Sequence, residues 1–151
     1  MKLQVGDIAP DFRLKNQDEI EVGLKDLNSK GIVLYFYPKD NTPGCTTEAE
    51  DFTQLLEYFF QKGFVVVGIS PDSPKSHKKF IENKGLKHIL LSDLDKSIAE
   101  KYGAYGKKMM YGKEVFGIIR STFIINKNGQ ISKVFYNVRV KGHVKEVLES
   151  L

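Results

Sequence analysis

The 151-residue chain has one cysteine, no tryptophan and only five prolines. A single thiol closes no disulfide within the chain, so the fold rests on its apolar core, and a lone cysteine fits a reducing compartment. No apolar run approaches the roughly 18 residues of a membrane-spanning helix, so no membrane association is expected. The opening MKLQVGDIAPDF holds one lysine and no apolar stretch of signal-peptide length, so no export is expected and the cytoplasm is the expected location. Charge of one sign is missing too. The 23 Lys and Arg residues face 19 Asp and Glu, a formal balance of +4. They are scattered, with short pairs such as Lys78-Lys79 and Lys107-Lys108, and form no basic stripe of the kind that binds nucleic acid. Linkers, repeats and low-complexity tracts are also lacking. One domain over residues 1–151 is therefore expected, a size that hides roughly 70% of the unfolded surface.

What the chain does have is three short, continuous apolar runs: Ile32 to Tyr37, Phe64 to Ile69, and Thr122 to Ile125. β-Branched and aromatic residues without alternation predict central strands covered on both faces. Between the first two runs, Ala49, Phe52, Leu56, Phe59 and Phe60 recur at helical spacing, with Gly63 as a stop, which makes a β-α-β unit. Ser73-Pro74 predicts an N-cap and first helical residue for a helix reaching Lys84-Gly85. A short strand at Ile89-Leu90-Leu91 follows, then a helix from Asp95 to Tyr102-Gly103. Residues 103–117, rich in Gly and Lys, read as a loop that precedes Arg120 and borders a pocket mouth or a partner surface; Met109 and Met110 read as gap fillers, with an oxidant-accessible patch as the alternative, and the lysines as solvated. Lys127-Asn128-Gly129 turns the third apolar run into a hairpin with Ile131 to Tyr136, and His143 to Leu151 forms a closing amphipathic helix. With a hairpin from Phe12-Leu14 and Ile20-Val22 at the start, the order β-β-β-α-β-α-β-α-β-β-α describes a mixed α/β sheet with helices on both faces.

The cysteine lies in YPKDNTPGCTTEAED, where a central strand ends and a helix begins. Thr42 reads as the N-cap and Pro43 as the first helical residue, which places Cys45 third, within the turn whose N–H groups lack helical partners. The helix dipole stabilises thiolate over thiol there, and strand-to-helix junctions of α/β sheets gather ligand sites. A free cysteine is ordinarily a small buried hydrophobe, but a core cysteine belongs inside an apolar run, and Cys45 is flanked by Thr, Gly and Pro. One Cys with three dispersed histidines (His77, His88, His143) gives no metal-ligand spacing. A Cys-His nucleophile would need one of those histidines to fold against Cys45.

Pro38-Lys39-Asp40-Asn41-Thr42-Pro43-Gly44-Cys45 resembles the P-x-x-x-T-x-x-C signature of peroxiredoxins. YFYPKDNTPGCTTEA, VGDIAPDF, VVGISPDS, HILLSD and GIIRSTFII resemble, in order, the bacterioferritin comigratory protein (PrxQ) subgroup, so the likeness spans nearly the whole chain. It implies a thioredoxin-like fold with an N-terminal extension and a thiol-dependent peroxidase acting on hydrogen peroxide and organic hydroperoxides, without metal, haem or flavin. By that likeness Cys45 is the peroxidatic nucleophile, Thr42 holds peroxide and thiolate through its hydroxyl, and Pro38 shields the sulfur. Arg120 faces the thiolate and Glu48 orients Arg120. Each has a plainer alternative: Thr42 as a cap, Pro38 as a strand terminator, Arg120 with Glu48 as a surface ion pair.

Many members of the subgroup carry a second cysteine five residues after the first, where this chain has Glu50. The implied cycle therefore uses an external thiol (thioredoxin, a glutaredoxin-like protein or a small thiol), and the implied assembly is a monomer or weak homodimer. A sulfenic acid with no internal partner is also more exposed to over-oxidation. The competing reading is a redox sensor that relays Cys45 oxidation to a partner. A disulfide oxidoreductase of the C-x-x-C type is excluded, because that pair is absent.

Overall fold

The computed structural model describes residues 2–27 and 30–151. Its strands and helices follow one another as β1 (Arg13–Asn16), β2 (Glu21–Gly23), a 3-10 turn (Leu24–Leu27), β3 (Gly31–Phe36), α1 (Pro43–Gln54), α2 (Leu56–Gln61), β4 (Phe64–Ser70), α3 (Pro74–Lys84), β5 (Ile89–Ser92), α4 (Ser97–Lys101), β6 (Tyr105–Met110), β7 (Lys113–Ile118), β8 (Ser121–Ile125), β9 (Ile131–Phe135) and α5 (His143–Glu149). Seven strands make one mixed sheet in the order β2-β1-β5-β4-β3-β8-β9, with β3, β4 and β5 parallel and β8 antiparallel to β3.

Every residue of β3 is buried, because its two faces serve two cores. Ile32, Leu34 and Phe36 point into one, with Val67 of β4, Phe123 of β8 and Ile98 and Ala99 of α4. Val33 and Tyr35 point into the other, where α1, α2, α3 and α5 contribute Phe52, Phe59, Phe80 and Val147. A strand with helices over both faces has no polar side to alternate with, and this is why the sequence shows continuous apolar runs.

α3 begins and ends where the sequence predicts. Ser73 accepts a hydrogen bond from the Ser76 N–H at 3.1 Å, Pro74 opens the helix, and Gly85 closes it in the left-handed region at φ +63°. Three other expectations need correction. The helix predicted to run on to Gly63 bends at Leu55, whose ψ of 7° divides α1 from α2, and this turns Phe60 out to solvent while Phe52 and Phe59 stay buried. α4 starts at Ser97 rather than Asp95, since the Asp93 carboxylate takes the N–H groups of Ile98 and Ala99 at 3.2 and 2.9 Å. The predicted loop over 103–117 is a separate antiparallel hairpin, β6 with β7, turned by Tyr111 and Gly112 at φ +52° and +78°. Two successive positive φ values suit the tight turn of a hairpin. Met109 and Met110 stand 67% and 46% exposed on it, so they fill no core gap.

One close approach explains a glycine in the middle of a strand. Gly68 pairs with Tyr35 across β3 and β4, and a β-carbon there would lie 2.7 Å from the Tyr35 ring and 2.9 Å from Leu90. The space lets the Tyr35 hydroxyl reach His88 Nε2 at 2.7 Å, while Thr53 bonds the other ring nitrogen at 3.1 Å. Burial pushes His88 down to about 3, so the ring stays neutral. Gly68→Ala should cost about 1–3 kcal/mol through overpacking, read as a fall in urea midpoint without change in slope; an unchanged midpoint would show that β3 and β4 separate freely.

Candidate active site

Strand register brings together residues 75 positions apart. Phe36 at the end of β3 pairs with Ser121 at the start of β8, so the segment following β3 and the residue preceding β8 emerge at one end of the sheet. The segment from Tyr37 to Asn41 is held by buried polar contacts. Tyr37 donates its hydroxyl to Asp40 Oδ1 at 2.7 Å, Ser76 donates to Asp40 Oδ2 at 2.8 Å, and His77 Nδ1 lies 2.8 Å from the same oxygen. The Asp40 N–H reaches Asp72 Oδ2 at 2.8 Å, and His77 Nε2 lies 3.0 Å from the Leu91 carbonyl. Asp40, Asp72 and His77 are spaced closely enough to hold a cation, yet their ligand atoms are already engaged in these bonds. Asn41 then turns the chain at φ +62° into α1.

Cys45 is the third residue of α1, after Pro43 and Gly44. The first helical bond runs from Thr46 N–H to the Thr42 carbonyl at 2.8 Å, which leaves the Gly44 and Cys45 N–H groups without helical acceptors. Cys45 is only 1% exposed and packs in the same apolar cluster as Tyr35, Tyr37 and Phe52. The contrast drawn from sequence between a core cysteine and a functional one therefore does not hold: Cys45 is buried like the first. Its neighbour is nonetheless a cation. Arg120 Nη2 donates to Cys45 Sγ at 3.2 Å, and Nη1 donates to Glu48 Oε1 at 2.6 Å.

Glu48 lies one turn beyond Cys45 on the same helix face and is fully buried, while Arg120 keeps 17% of its side-chain surface exposed. This is no surface ion pair. Glu48 Oε2 has no hydrogen-bond partner among the described residues. Burial accordingly pushes the Glu48 carboxyl up to about 7, although the Arg120 charge and hydrogen bond pull it down. Burial also works against the Arg120 cation, but Glu48 and Cys45 outweigh it and hold the guanidinium above its ordinary value. One cation is thus shared by a buried carboxyl and a sulfur.

Of the other sequence candidates, Pro38 adjoins Arg120 and Thr42 stands at the start of α1. Pro38 and Arg120 line a pocket of about 330 Å³ with Lys108, Met110, Asn137 and Val138. Thr42 occupies the N-cap position but does not cap; its hydroxyl donates to the Lys39 carbonyl at 2.8 Å. Glu50 is exposed on α1. None of the three histidines bonds Cys45: His77 and His88 are held as described, and His143 Nε2 lies 2.8 Å from the Thr122 hydroxyl. Three contributors escaped the sequence reading. Gly44 leaves room for the guanidinium, since a β-carbon there would lie 3.4 Å from Arg120 Nη2. Val138 fixes the Arg120 backbone by donating its N–H to the Arg120 carbonyl at 2.9 Å. Lys108 is the third: in sequence its segment reads as bordering a pocket mouth, but the lysine itself as solvated.

A lone thiol on the first turn of a helix, beside a guanidinium, at the end of a central strand of such a sheet fits the class of thiol-dependent peroxidases. The AhpC/TSA family profile matches residues 5–134, and the chain belongs to that family. Within it the chain falls with the Bcp, or PrxQ, peroxiredoxins. It is 63% identical over 150 residues to the Helicobacter pylori protein bcp, covering 99% of both chains. It is 46% identical over 151 residues to peroxiredoxin Bcp of Bacillus subtilis, covering all of this chain and 96% of that one. Among solved structures, a cysteine-to-serine mutant of Xylella fastidiosa PrxQ matches with a TM-score of 0.92 at 37% identity, over 99% of this chain and 96% of that one. The Xanthomonas campestris bacterioferritin comigratory protein, studied for alkyl peroxide reduction, matches with a TM-score of 0.87 at 39% identity, over 92% and 88%. The fold is thus thioredoxin-like, and the chain is a thiol-dependent peroxidase with one cysteine, its substrates peroxides and its reductant a thiol.

The buried carboxyl gives stability a definite pH dependence. A folded value near 7 against an ordinary value of 4.5 means that the folded state binds the proton more tightly. The Glu48 contribution is therefore fully present below pH 4.5 and is lost as pH rises through 7. The melting temperature of the wild type minus that of Glu48→Gln should fall over this range; parallel melting curves at every pH would contradict the assignment.

Proposed function

We propose that Cys45 is the attacking thiolate and that Arg120, Glu48, Thr42 and Pro38 complete its site, the substrates being hydrogen peroxide and organic hydroperoxides. The observation that carries this reading is the 3.2 Å contact between Arg120 Nη2 and Cys45 Sγ. The thiolate attacks one peroxide oxygen, an S–O bond forms as the O–O bond breaks, and the departing hydroxide or alkoxide takes up a proton. Cys45 becomes a sulfenic acid. An external thiol then attacks the sulfur, water leaves, and a second thiol releases the mixed disulfide.

Thiolate formation alone supplies little of the rate. For any thiol, lowering the pKa from ~8.5 to ~6 raises the thiolate fraction at neutral pH about 30-fold, while a Brønsted slope of ~0.45 lowers intrinsic nucleophilicity about 13-fold. The net gain is about two. The larger share belongs to fixed donors that hold the peroxide and meet charge as the O–O bond breaks: the Arg120 guanidinium and the free N–H groups of the first turn. Thr42, whose hydrogen is engaged by Lys39, offers its oxygen as acceptor to the peroxide O–H. Pro38 walls off water beside Arg120.

The reductant we favour is thioredoxin, with a glutaredoxin-like protein or a small thiol as the other sources. With Cys45 only 1% exposed, a protein thiol has no access to it, so the first turn of α1 opens after oxidation. The remaining elements of the reading are a cytoplasmic protein acting as one domain over residues 1–151, a monomer or weak homodimer, with no nucleic-acid partner. Coupled turnover with NADPH, thioredoxin reductase and thioredoxin should proceed through many equivalents of peroxide and vanish in Cys45→Ser. A redox sensor would stop near one equivalent. Arg120→Gln should slow peroxide attack by about 10²–10³, the loss typical of a removed charge-stabilising donor, with a smaller effect on the pH midpoint of thiol alkylation.

A further inference from the structure

The β6–β7 hairpin carries Lys107, Lys108 and Lys113, and only Lys108 is drawn inward. Lys107 leans into solvent, 3.8 Å from Glu114, with both side chains about two-thirds exposed. Lys108 instead lies flat across the partner strand, over the space that Gly117 leaves empty. A β-carbon on Gly117 would meet Lys108 Cε at 3.1 Å and Nζ at 3.5 Å. The ammonium ends on the Ile118 carbonyl at 2.8 Å. That carbonyl is two residues before Arg120, and Lys108 lines the same pocket as Arg120 and Pro38.

Such a placement is costly for a lysine without an anion to face. An ammonium has three donors, and the only bond found for it among the described residues is the one to Ile118. Burial and the nearby Arg120 charge both disfavour its protonated form, and the opposing influence that favours it comes from Cys45. A stem that only packed over Gly117 would be served by an uncharged side chain. The charge gains a role when the sulfur is an anion.

We propose that Lys108 is the second cation of the peroxidase site, a positioning residue whose ammonium, pinned to the Ile118 carbonyl in the pocket wall, acts with Arg120 to stabilise negative charge on the Cys45 sulfur. This rests on the reading of Cys45 as the attacking thiolate. The effect works through field rather than contact, so it belongs to the charge and not to the shape of the side chain.

Lys108→Met keeps the stem and removes the charge, Lys108→Arg keeps the charge, and Lys107→Met removes a neighbouring surface charge. For each, the pH midpoint of Cys45 alkylation is followed by mass spectrometry, single-turnover peroxide consumption is followed at pH 7, and circular dichroism checks the fold. Lys108→Met should raise the alkylation midpoint by about half a unit and change peroxide consumption at pH 7 by no more than about twofold. Lys108→Arg should restore the midpoint, and Lys107→Met should leave it unmoved. If Lys108→Met does not fold, Lys108→Gln is read in its place by the same criteria. An unmoved midpoint in the neutral variant overturns the proposal even if the rate falls, since a loosened hairpin would produce that loss. So does an equal shift in Lys107→Met. Failure of the wild type to consume peroxide would strike at the reading of Cys45 instead.

Discussion

A single guanidinium divided between a sulfur and a buried carboxylate is the constraint on which this protein depends. Arg120 spans 3.2 Å to Cys45 and 2.6 Å to Glu48. Breaking such a buried pair by removing one partner strands the other charge, at a cost of about 3–5 kcal/mol. Such a pair is a weak source of net stability, which agrees with the role proposed for it at the sulfur. Glu48 has a second oxygen with no partner and a proton affinity near neutrality.

The fold supplies this contact through ordinary means. Central strands buried on both faces fix the end of β3, pairing with β8 delivers Arg120 to that end, and the hydrogen bonds of Asp40 lock the intervening segment. Helix α1 then presents Cys45 and Glu48 on one face, one turn apart. Each element is placed by packing, so in the proposed role the guanidinium needs little rearrangement to meet charge as it develops, which is the condition for electrostatic catalysis. Cys45 is buried in the same cluster as Tyr35, Tyr37 and Phe52, which in the proposed cycle closes it to a large reductant until the turn around it opens.

Much of this was legible in the chain, for reasons that differ by element. The central strands announced themselves because both faces are apolar, and α3 because Ser73-Pro74 and Gly85 carry their own stereochemistry. The β6–β7 hairpin was hidden because it stands apart from the large sheet and exposes Lys107, Met109, Tyr111 and Phe116, so no apolar alternation marks it. The bend at Leu55 follows from packing Phe52 and Phe59 together, and no glycine or proline marks it. Cys45 and Thr42 were placed correctly along the helix, yet neither the burial of the sulfur nor the turning of the Thr42 hydroxyl to Lys39 is written in local pattern. Arg120 and Glu48 were reached through family resemblance alone, since no periodicity joins residues 72 positions apart.

The central claim is that Glu48 acts on the sulfur only through Arg120, and a double-mutant cycle on the rate of peroxide attack tests it most directly. Wild type, Glu48→Gln, Arg120→Gln and the double variant would be compared in single turnover at one pH. If Glu48 works by holding the guanidinium, the double variant reacts no more slowly than Arg120→Gln alone. If the two losses multiply, Glu48 acts on the reaction independently, and the shared guanidinium is not the organising contact described here.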